Sequence, residues 1–214
     1  MSQTVFLFDV DNTLLDNDRI LSDLRTHLEQ EFGSDRCKQY FATLERLRTE
    51  LGYVDYLGAL QRYRLENPRD PKLLAISAWF IEYPFPDRLY PGALQAVAHC
   101  RKKGLTAVLS DGDVVFQPWK VRRSGIWDAM ENRVLIYIHK EEMLDDVERR
   151  YPADHYVMVD DKLRLLSAIK SIWKDRVTTV FPKQGHYALD AQAIAKYPPA
   201  DITIDCIGDL PKVV

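Results

Sequence analysis

The sequence predicts an α/β protein with a parallel β-sheet and a helical block inserted close to its N-terminus. Short apolar segments rich in Val, Ile and Phe recur along the 214 residues, and segments with helical spacing separate the later ones. Residues 16–86 contain no convincing strand pattern. Strands that alternate with helices favour a parallel sheet covered on both faces. The interruption at residues 16–86 indicates an insertion.

Five segments have the pattern of buried strands, because they are short, apolar and enriched in β-branched and aromatic residues. In chain order they are TVFLFD (4–9), LTAVLS (105–110), VLIYI (134–138), HYVMVD (155–160) and RVTTVF (176–181). Helical spacing follows in PGALQAVAHCRKKG, KEEMLDDVERRY and KLRLLSAIKSIWK. We expect Gly104, the last residue of the first of these, to be a helix C-cap.

The inserted block has helical patterns near residues 20–32, 36–51, 53–66 and 71–82. The segment YPFPDRLYPG follows the last helix, and its three prolines favour a stiff, non-helical connector. We therefore expect residues 16–86 to form a helical subdomain. Residues 1–15 and 87–214 would form the core domain.

Three sets of residues have both an ordinary and a functional interpretation. The helical block contains aromatic residues at helical spacing, which is typical of packing but would also allow them to line a pocket. They are Tyr40, Phe41, Tyr53, Tyr56, Tyr63, Trp79 and Phe80. Arg62, Arg64 and Arg69 are explained most simply as a solvated helix face. The alternative is that they bind an anionic group. Lys183, Gly185 and His186 have the ordinary interpretation of a surface loop. The alternative is that they form a rim of the site.

The charge balance argues against nucleic-acid or membrane partners. Lys and Arg total 29 against 32 Asp and Glu, and the net charge of -3 supplies no field that would attract polyanions or anionic lipid. The sequence shows no basic leader followed by an apolar region, and no apolar run of bilayer length. We expect a cytoplasmic protein that acts on small molecules, with its oligomeric state open. Cys37, Cys100 and Cys206 lack metal-site spacing, which predicts reduced core thiols.

Polar residues follow four of the predicted strands. Asp9 ends the first strand, Ser110 ends the second, Lys140 follows the third by two residues, and Asp160 with Asp161 ends the fourth. Ligands of doubly wound sheets bind beyond the carboxyl ends of the strands, so the coincidence predicts one site at this edge. Each residue type also has an ordinary explanation, because Asp is common in turns, Ser at helix N-caps and Lys on solvated surfaces.

The sequence contains four motifs that resemble, in the same order, those of the haloacid dehalogenase (HAD) superfamily: DVDNT (9–13), VLSDGD (108–113), the lysine of IHKEE (138–142) and VMVDDK (157–162). The helical block lies where that superfamily has its C1-type cap. The resemblance covers essentially the whole chain, and the first and fourth motifs are the specific ones. It implies a Rossmann-like core with strand order 5-4-1-2-3, which would bring Asp9 between Ser110 and the Asp160–Asp161 pair.

The resemblance implies chemistry through an aspartyl-phosphate. Asp9 would attack phosphorus, which splits one difficult hydrolysis into two displacements, and Asp11 would act as general acid and base. Clustered carboxylates facing a phosphate need a cation, and Mg²⁺ prefers oxygen ligands. We expect the side chains of Asp9, Asp11 and Asp161 to converge around one Mg²⁺ ion, with the Asp11 carbonyl also in reach. Asp160 would bind the ion directly or through water.

The remaining motif residues would bind the phosphoryl group. Ser110 and the N–H groups of the adjacent loop, at Asp111, would bind its oxygens. Lys140 would offset the negative charge that nucleophile and phosphate share, and Lys120 is the alternative lysine for this role. Thr13 belongs to the same phosphate-binding set and is expected to fix the turn after Asp11 through a side-chain hydrogen bond.

Two departures from the family pattern concern the substrate rather than the chemistry. Lys162, Leu163, Arg164 and Leu165 stand where the family often has a small hydroxyl residue and a further acid. The phosphate loop is unusually acidic, since Asp111 and Asp113 follow Ser110. Either these acids point away from the site, or the substrate carries a positive group.

We expect a Mg²⁺-dependent phosphohydrolase for a small phosphomonoester, with the helical block closing over the site. A dehalogenase is disfavoured because those members lack an acid at the position of Asp11. A phosphomutase, which uses the same intermediate, and a phospholigand-binding protein without turnover stay open. A receiver-like signalling domain would be far shorter and would carry an Asp after the third strand. The substrate itself cannot be read from one sequence.

Overall fold

A six-stranded sheet forms the centre of the computed structural model, which describes residues 3–214. All strand pairs are parallel, and the order across the sheet is β3-β2-β1-β4-β5-β6. The strands are β1 (Thr4–Phe8), β2 (Leu105–Asp111), β3 (Val134–Tyr137), β4 (His155–Val159), β5 (Val177–Pro182) and β6 (Ile202–Ile204). The predicted α/β class and the order of the five expected strands are confirmed. The structure adds β6 at the edge beside β5.

Alternate residues of the central strand β1 pack on opposite faces of the sheet, as the two-residue period of a strand requires. Val5 and Leu7 pack in an apolar cluster with residues of the helix that follows β4, whereas Phe6 and Phe8 pack with the helix that precedes β2. All four side chains are buried. Burial on both faces explains the nearly continuous apolar sequence of this strand.

The helices cover both faces of the sheet and fill the insertion. They are α1 (Asn17–Phe32), α2 (Ser34–Leu51), α3 (Tyr56–Glu66), α4 (Leu73–Glu82), α5 (Ala93–Arg101), α6 (Phe116–Arg123), α7 (Ile126–Ala129), α8 (Leu144–Arg150), α9 (Leu163–Trp173), α10 (Gly185–Leu189) and α11 (Ala191–Ile194). Short 3-10 turns occur at Phe85–Arg88, Lys140–Glu142, Lys174–Arg176 and Ile207–Lys212. The helix expected from Lys140 onward is therefore a 3-10 turn followed by the shorter α8.

Gly104 does not serve as the expected C-cap. Helix α5 ends at Arg101, and the cap position belongs to Lys102. A Cβ atom on Gly104 would lie 2.2 Å from the carbonyl oxygen of Thr4 in β1. The glycine is required because the backbone at the start of β2 approaches β1 too closely for a side chain.

The four helices α1–α4 lie between β1 and β2 in the sequence and share an apolar cluster of their own. Its buried members include Leu24, Leu28, Tyr40, Tyr63 and Phe80. The chain leaves and rejoins the sheet region through two adjacent segments. Between them, Leu15 pairs antiparallel with Leu89, Asp16 N–H donates to the Arg88 carbonyl (2.7 Å) and Tyr90 N–H donates to the Leu14 carbonyl (2.9 Å).

Two of the three cysteines occupy the expected core positions. Cys37 and Cys100 are buried free thiols, but Cys206 is an exposed free thiol, so the prediction of a core position was wrong for this residue. Cys206 follows β6, the short strand at the edge of the sheet. In the described residues 3–214, none of the helices combines the length and apolar character that a membrane-spanning segment requires.

Candidate active site

Three buried carboxylates meet at the carboxyl edge of the sheet. Asp9 follows β1, and Asp160 and Asp161 follow β4, which is the parallel neighbour of β1. One oxygen from each of the three side chains lies within 4.8 Å of the others. The side chains are almost completely inaccessible to solvent. Adjacent parallel strands that end at the same level therefore bring together acids that are about 150 residues apart in sequence.

Several oxygens of this cluster have no hydrogen-bond partner within residues 3–214. They are Asp9 Oδ2 and both carboxylate oxygens of Asp161. Burial, together with the neighbouring acids, raises the pKa of Asp161 well above its usual value. Buried carboxylate oxygens without donors are unfavourable unless a cation binds them. The donor set, which consists of oxygen atoms alone, fits a hard divalent cation such as Mg²⁺.

Lys140 forms direct ion pairs with two acids of the cluster. Its ammonium nitrogen is fully buried and lies 2.6 Å from Asp9 Oδ1, 2.6 Å from Asp160 Oδ2 and 3.2 Å from the Leu109 carbonyl oxygen. Burial alone would lower the pKa of Lys140, but the carboxylates of Asp160 and Asp9 outweigh it and raise the pKa. Lys140 therefore stays charged and neutralises part of the cluster.

The pKa values of the acids differ because their partners differ. Burial would raise the pKa of Asp9, but the ammonium groups of Lys140 and Lys162 hold it below its usual value. Asp160 has the opposite shift, because burial outweighs the same lysines and raises its pKa. Asp9 is thus the carboxylate of the cluster that is most strongly held in the ionised form, which a nucleophile requires.

Asp11 does not join the carboxylate cluster. Its Oδ1 accepts a hydrogen bond from the buried ammonium of Lys120 at 2.5 Å, and its Oδ2 accepts one from the Gln117 side-chain amide at 3.4 Å. Both partners belong to α6. The expectation that the side chains of residues 9, 11 and 161 converge is therefore wrong for Asp11 in this conformation. The two candidate lysines are also distinguished, since Lys140 contacts Asp9 and Lys120 contacts Asp11.

Ser110 lies beside Asp9 on the other side of β1. Its hydroxyl is buried, donates to Asp9 Oδ1 at 3.5 Å and accepts from the Gln117 side-chain amide at 3.0 Å. Gln117 thus contacts both Ser110 and Asp11. The sequence pattern did not single out this glutamine, and the one signal that could have found it is its position as the second residue of the helix after β2.

The acids at the end of β2 and in the loop after it accept hydrogen bonds from backbone N–H groups of the protein. Asp111 Oδ1 accepts the backbone N–H of Lys140 at 2.8 Å, and burial raises the pKa of Asp111. Asp113 Oδ1 accepts the backbone N–H groups of Val115 and Phe116 at 2.8 and 2.6 Å. These contacts favour the expectation that the acids point away from a bound phosphate. Asp111 fixes the segment that carries the catalytic lysine candidate.

The residues after Asp11 fix the loop in a way that only partly matches the expectation. The Thr13 hydroxyl is buried and accepts the backbone N–H of Asp161 at 3.1 Å, so it links two loops rather than the turn itself. Asn12 fixes the turn instead, because its side-chain oxygen accepts the N–H groups of Asn17 and Asp18 at 3.0 and 3.1 Å. The φ of Asn12 is 60°, a left-handed conformation that Asn tolerates better than most residues.

The segment after β5 borders the site at some of the expected positions. A Cβ atom on Gly185, whose φ is 70°, would lie 2.4 Å from the Asn12 Cβ, so only glycine fits against this loop. His186 Nδ1 lies 2.6 Å from Asp18 Oδ1 in α1. The hydroxyl of Tyr187 accepts from the Arg48 guanidinium of α2. Lys183 instead points to exposed Asp205, at 3.1 Å.

A cavity of about 760 Å³ lies between the helical block and the edge of the sheet. The block contributes Phe41, Tyr53 and Tyr56 to its lining, so part of the aromatic set lies at a pocket and the rest packs in the block. The lining residues do not include the arginines Arg62, Arg64 and Arg69, and Arg62 pairs with Glu50 on the surface. The cavity does include Arg25 and Arg48, which the sequence pattern did not single out.

Comparisons with known proteins identify the family of the chain. A model of the haloacid dehalogenase-like hydrolase family matches residues 4–172. A haloacid dehalogenase-like hydrolase from Burkholderia xenovorans LB400 is 61% identical over 100% of this chain and 97% of that chain, with a TM-score of 0.94. No curated protein matches the sequence.

Two more distant structures share the fold. L-2-haloacid dehalogenase from Xanthobacter autotrophicus is 17% identical over 100% of this chain and 98% of that chain, with a TM-score of 0.63. A magnesium-bound HAD-hydrolase from Bacillus subtilis is 15% identical over 100% of this chain and 99% of that chain, with a TM-score of 0.62. Because the family model covers most of the sequence, this chain belongs to the haloacid dehalogenase-like hydrolase family.

Proposed function

We propose that the protein is a Mg²⁺-dependent phosphohydrolase that acts on a small phosphomonoester. The observation that supports this most is the set of unpartnered carboxylate oxygens on Asp9 and Asp161, next to Asp160. A carbon–halogen displacement leaves a halide that needs no proton and no metal, so it gives no reason for these acids to cluster. A phosphoryl group brings further negative charge, which makes a divalent cation at the acids useful.

Asp9 is the proposed nucleophile, because it is held in the ionised form and one of its oxygens is free of partners. Its other oxygen is fixed by Lys140, which orients the carboxylate and offsets charge as the aspartyl-phosphate forms. The Ser110 hydroxyl, 3.5 Å from that oxygen, is within reach of a phosphoryl oxygen. Lys140 and Ser110 thus contact the same oxygen of the reacting carboxylate.

Asp9, Asp160 and Asp161 would hold the metal. When bound there, Mg²⁺ would supply Lewis-acid stabilisation of the phosphoryl oxygens and would neutralise the clustered acids. Asp11 is the proposed general acid for the leaving oxygen and the base for water. Its carboxylate is held by Lys120 and Gln117, so turnover requires it to exchange these contacts for the substrate.

The helical block, residues 16–86, is proposed to act as the cap of the site. The cavity lies between α1 and α2 on one side and the sheet edge on the other, so a leaving group would be enclosed by residues of both. Contacts from His186 to Asp18 and from Tyr187 to Arg48 connect the block to the core near the cavity. Such an enclosure would exclude water from the first displacement.

The test is phosphate release from p-nitrophenyl phosphate with Mg²⁺ and with a chelator, compared between the wild type and Asp9→Asn. We expect release only with the metal and a loss of at least about a thousandfold in Asp9→Asn. Asp205→Asn, which changes an exposed acid outside the site, is the matched control and should keep wild-type activity. Equal release by the wild type and Asp9→Asn would refute the assignment. Chloride release from 2-chloropropionate without phosphate release would replace it with dehalogenation.

A further inference from the structure

Lys162 has an ammonium group that the proposed mechanism does not use. Its backbone N–H donates to Asp160 Oδ1 at 2.8 Å, which places the residue directly at the carboxylate cluster. Its side chain lines the cavity, and its nitrogen lies 5.3 Å from the centre of the Tyr187 ring. Among residues 3–214, the ammonium forms no ion pair and no hydrogen bond with another side chain. A cation so placed faces whatever enters the cavity.

The charge count of the site changes if Lys162 is included. The cluster of Asp9, Asp160 and Asp161 carries three negative charges when fully ionised, and Lys140 and Lys162 supply two positive ones. One negative charge is therefore left before a metal binds. A divalent cation changes the balance to one net positive charge, and without Lys162 the same site would be neutral. Buried charges interact strongly, so this difference matters for the order in which ligands bind.

Lys162 therefore has two opposite effects on ligands of the cluster. It repels a divalent cation that approaches the acids from the cavity, which weakens metal binding to the free protein. It attracts a phosphoryl dianion, because the ammonium and a bound metal would face the same anion from two sides. Bound phosphate would offset the repulsion between Lys162 and Mg²⁺, and bound Mg²⁺ would offset the repulsion between the acids and phosphate. By linkage, the two ligands would then bind cooperatively.

We infer that Lys162 is a further binding residue for the phosphoryl group and that it couples phosphate binding to Mg²⁺ binding. The inference rests on the proposed function, because it takes the phosphoryl group as the ligand of the cavity. Tyr187 supports this role, because its ring lies beside the Lys162 ammonium nitrogen. The Tyr187 hydroxyl accepts a hydrogen bond from Arg48 of the helical block, which fixes the ring in place. The position belongs to a lysine here, where a small hydroxyl residue would neither repel the metal nor reach the anion.

The test is calorimetric titration of Mg²⁺ into the wild type and Lys162→Gln, each with and without inorganic phosphate. For the wild type, we expect phosphate to tighten Mg²⁺ binding by about 5- to 150-fold, the usual range of coupling between sites. In Lys162→Gln, Mg²⁺ alone should bind more tightly than to the wild type. The gain from phosphate should fall at least about fivefold, and phosphate affinity in saturating Mg²⁺ should fall about 10- to 100-fold, as for loss of a charged hydrogen bond.

Three further variants make the result specific. Lys162→Arg keeps the charge and should keep the coupling. Lys162→Met keeps the apolar stem without the charge, so it replaces Lys162→Gln if the polar variant does not fold. Lys183→Gln changes a lysine after β5 that does not line the cavity, and it should match the wild type in both titrations.

The outcomes separate this inference from the proposed function. If Lys162→Gln binds Mg²⁺ and phosphate as the wild type does, the inference is refuted while phosphatase activity still stands. If the variant loses affinity for Mg²⁺ and phosphate alike, Lys162 is a structural residue and the coupling is also refuted. If the wild type neither releases phosphate from p-nitrophenyl phosphate nor binds inorganic phosphate, the proposed function fails together with the inference.

Discussion

Replacing Lys140 by Met tests whether the carboxylate cluster depends on its buried ammonium group. Methionine keeps an unbranched apolar side chain of similar length and removes the charge. The ammonium contacts Asp9 and Asp160, each at 2.6 Å, and the Leu109 carbonyl at 3.2 Å. Its loss leaves two buried carboxylates without their shared partner.

The expected cost follows from the burial of these groups. Removing one partner of a buried ion pair destabilises a protein by about 3–5 kcal/mol, because an uncompensated charge stays behind. Here two acids lose the same cation, so we expect the upper part of that range, limited by protonation of one of them. For a chain of this length, about 3–5 kcal/mol corresponds to a fall in melting temperature of about 6–20 °C.

The assay is urea unfolding at neutral pH in the absence of divalent cations, repeated with Mg²⁺. Lys183→Met, at an exposed lysine, is the control and should change the free energy of unfolding by no more than about 0.5 kcal/mol. The double variant Lys140→Met/Asp160→Asn should recover part of the loss, because it removes one of the stranded charges. A loss below about 1 kcal/mol for Lys140→Met, or no recovery in the double variant, would show that the carboxylate cluster does not depend on the Lys140 ammonium.

Three other predictions concern stability. Tyr137, Arg150 and Arg149 lower the pKa of Asp146 to about 2, below the unfolded value of about 3.9. The advantage of wild type over Asp146→Asn should thus be complete above pH 4 and vanish as the pH falls through 2; a pH-independent gap in urea unfolding would contradict this. Gly185→Ala should lower stability by more than about 1 kcal/mol, because the new Cβ meets Asn12 at positive φ, and an unchanged melting temperature would contradict it. Thr13→Val should cost about 1–3 kcal/mol by leaving a buried N–H unpaired, whereas Thr13→Ser should not.

The sequence predicts the sheet and the level at which its strands end, because these depend on local patterns. Apolar segments that end in Asp9 and Asp160 are visible within six residues, and parallel pairing brings such ends to one edge. The short strand β6 has only three residues, Ile202–Ile204, and is too short for a pattern. It forms because β5 offers an unpaired edge, which no local signal reports.

Side-chain directions within the site depend on partners that are distant in sequence. Asp11 turns away from the carboxylate cluster because Lys120, which is 109 residues later, supplies a buried ammonium for it. The Thr13 hydroxyl also has a distant partner, since it accepts the backbone N–H of Asp161, which is 148 residues later. Motif spacing gives the residue types and their strand positions. It does not give the competition among several cations for several acids, which decides where each carboxylate points.

The pairing of Leu15 with Leu89 means that the two chain segments joining residues 16–86 to the sheet region lie side by side as a two-stranded stalk. Because the two segments are hydrogen-bonded to each other, a movement of the four helices relative to the sheet would move both segments together. The stalk also reaches the chemistry, because Asp11 forms a bridge with Leu15 at its base. A turn of the stalk would therefore change the position of Asp11, the proposed general acid, relative to Asp9.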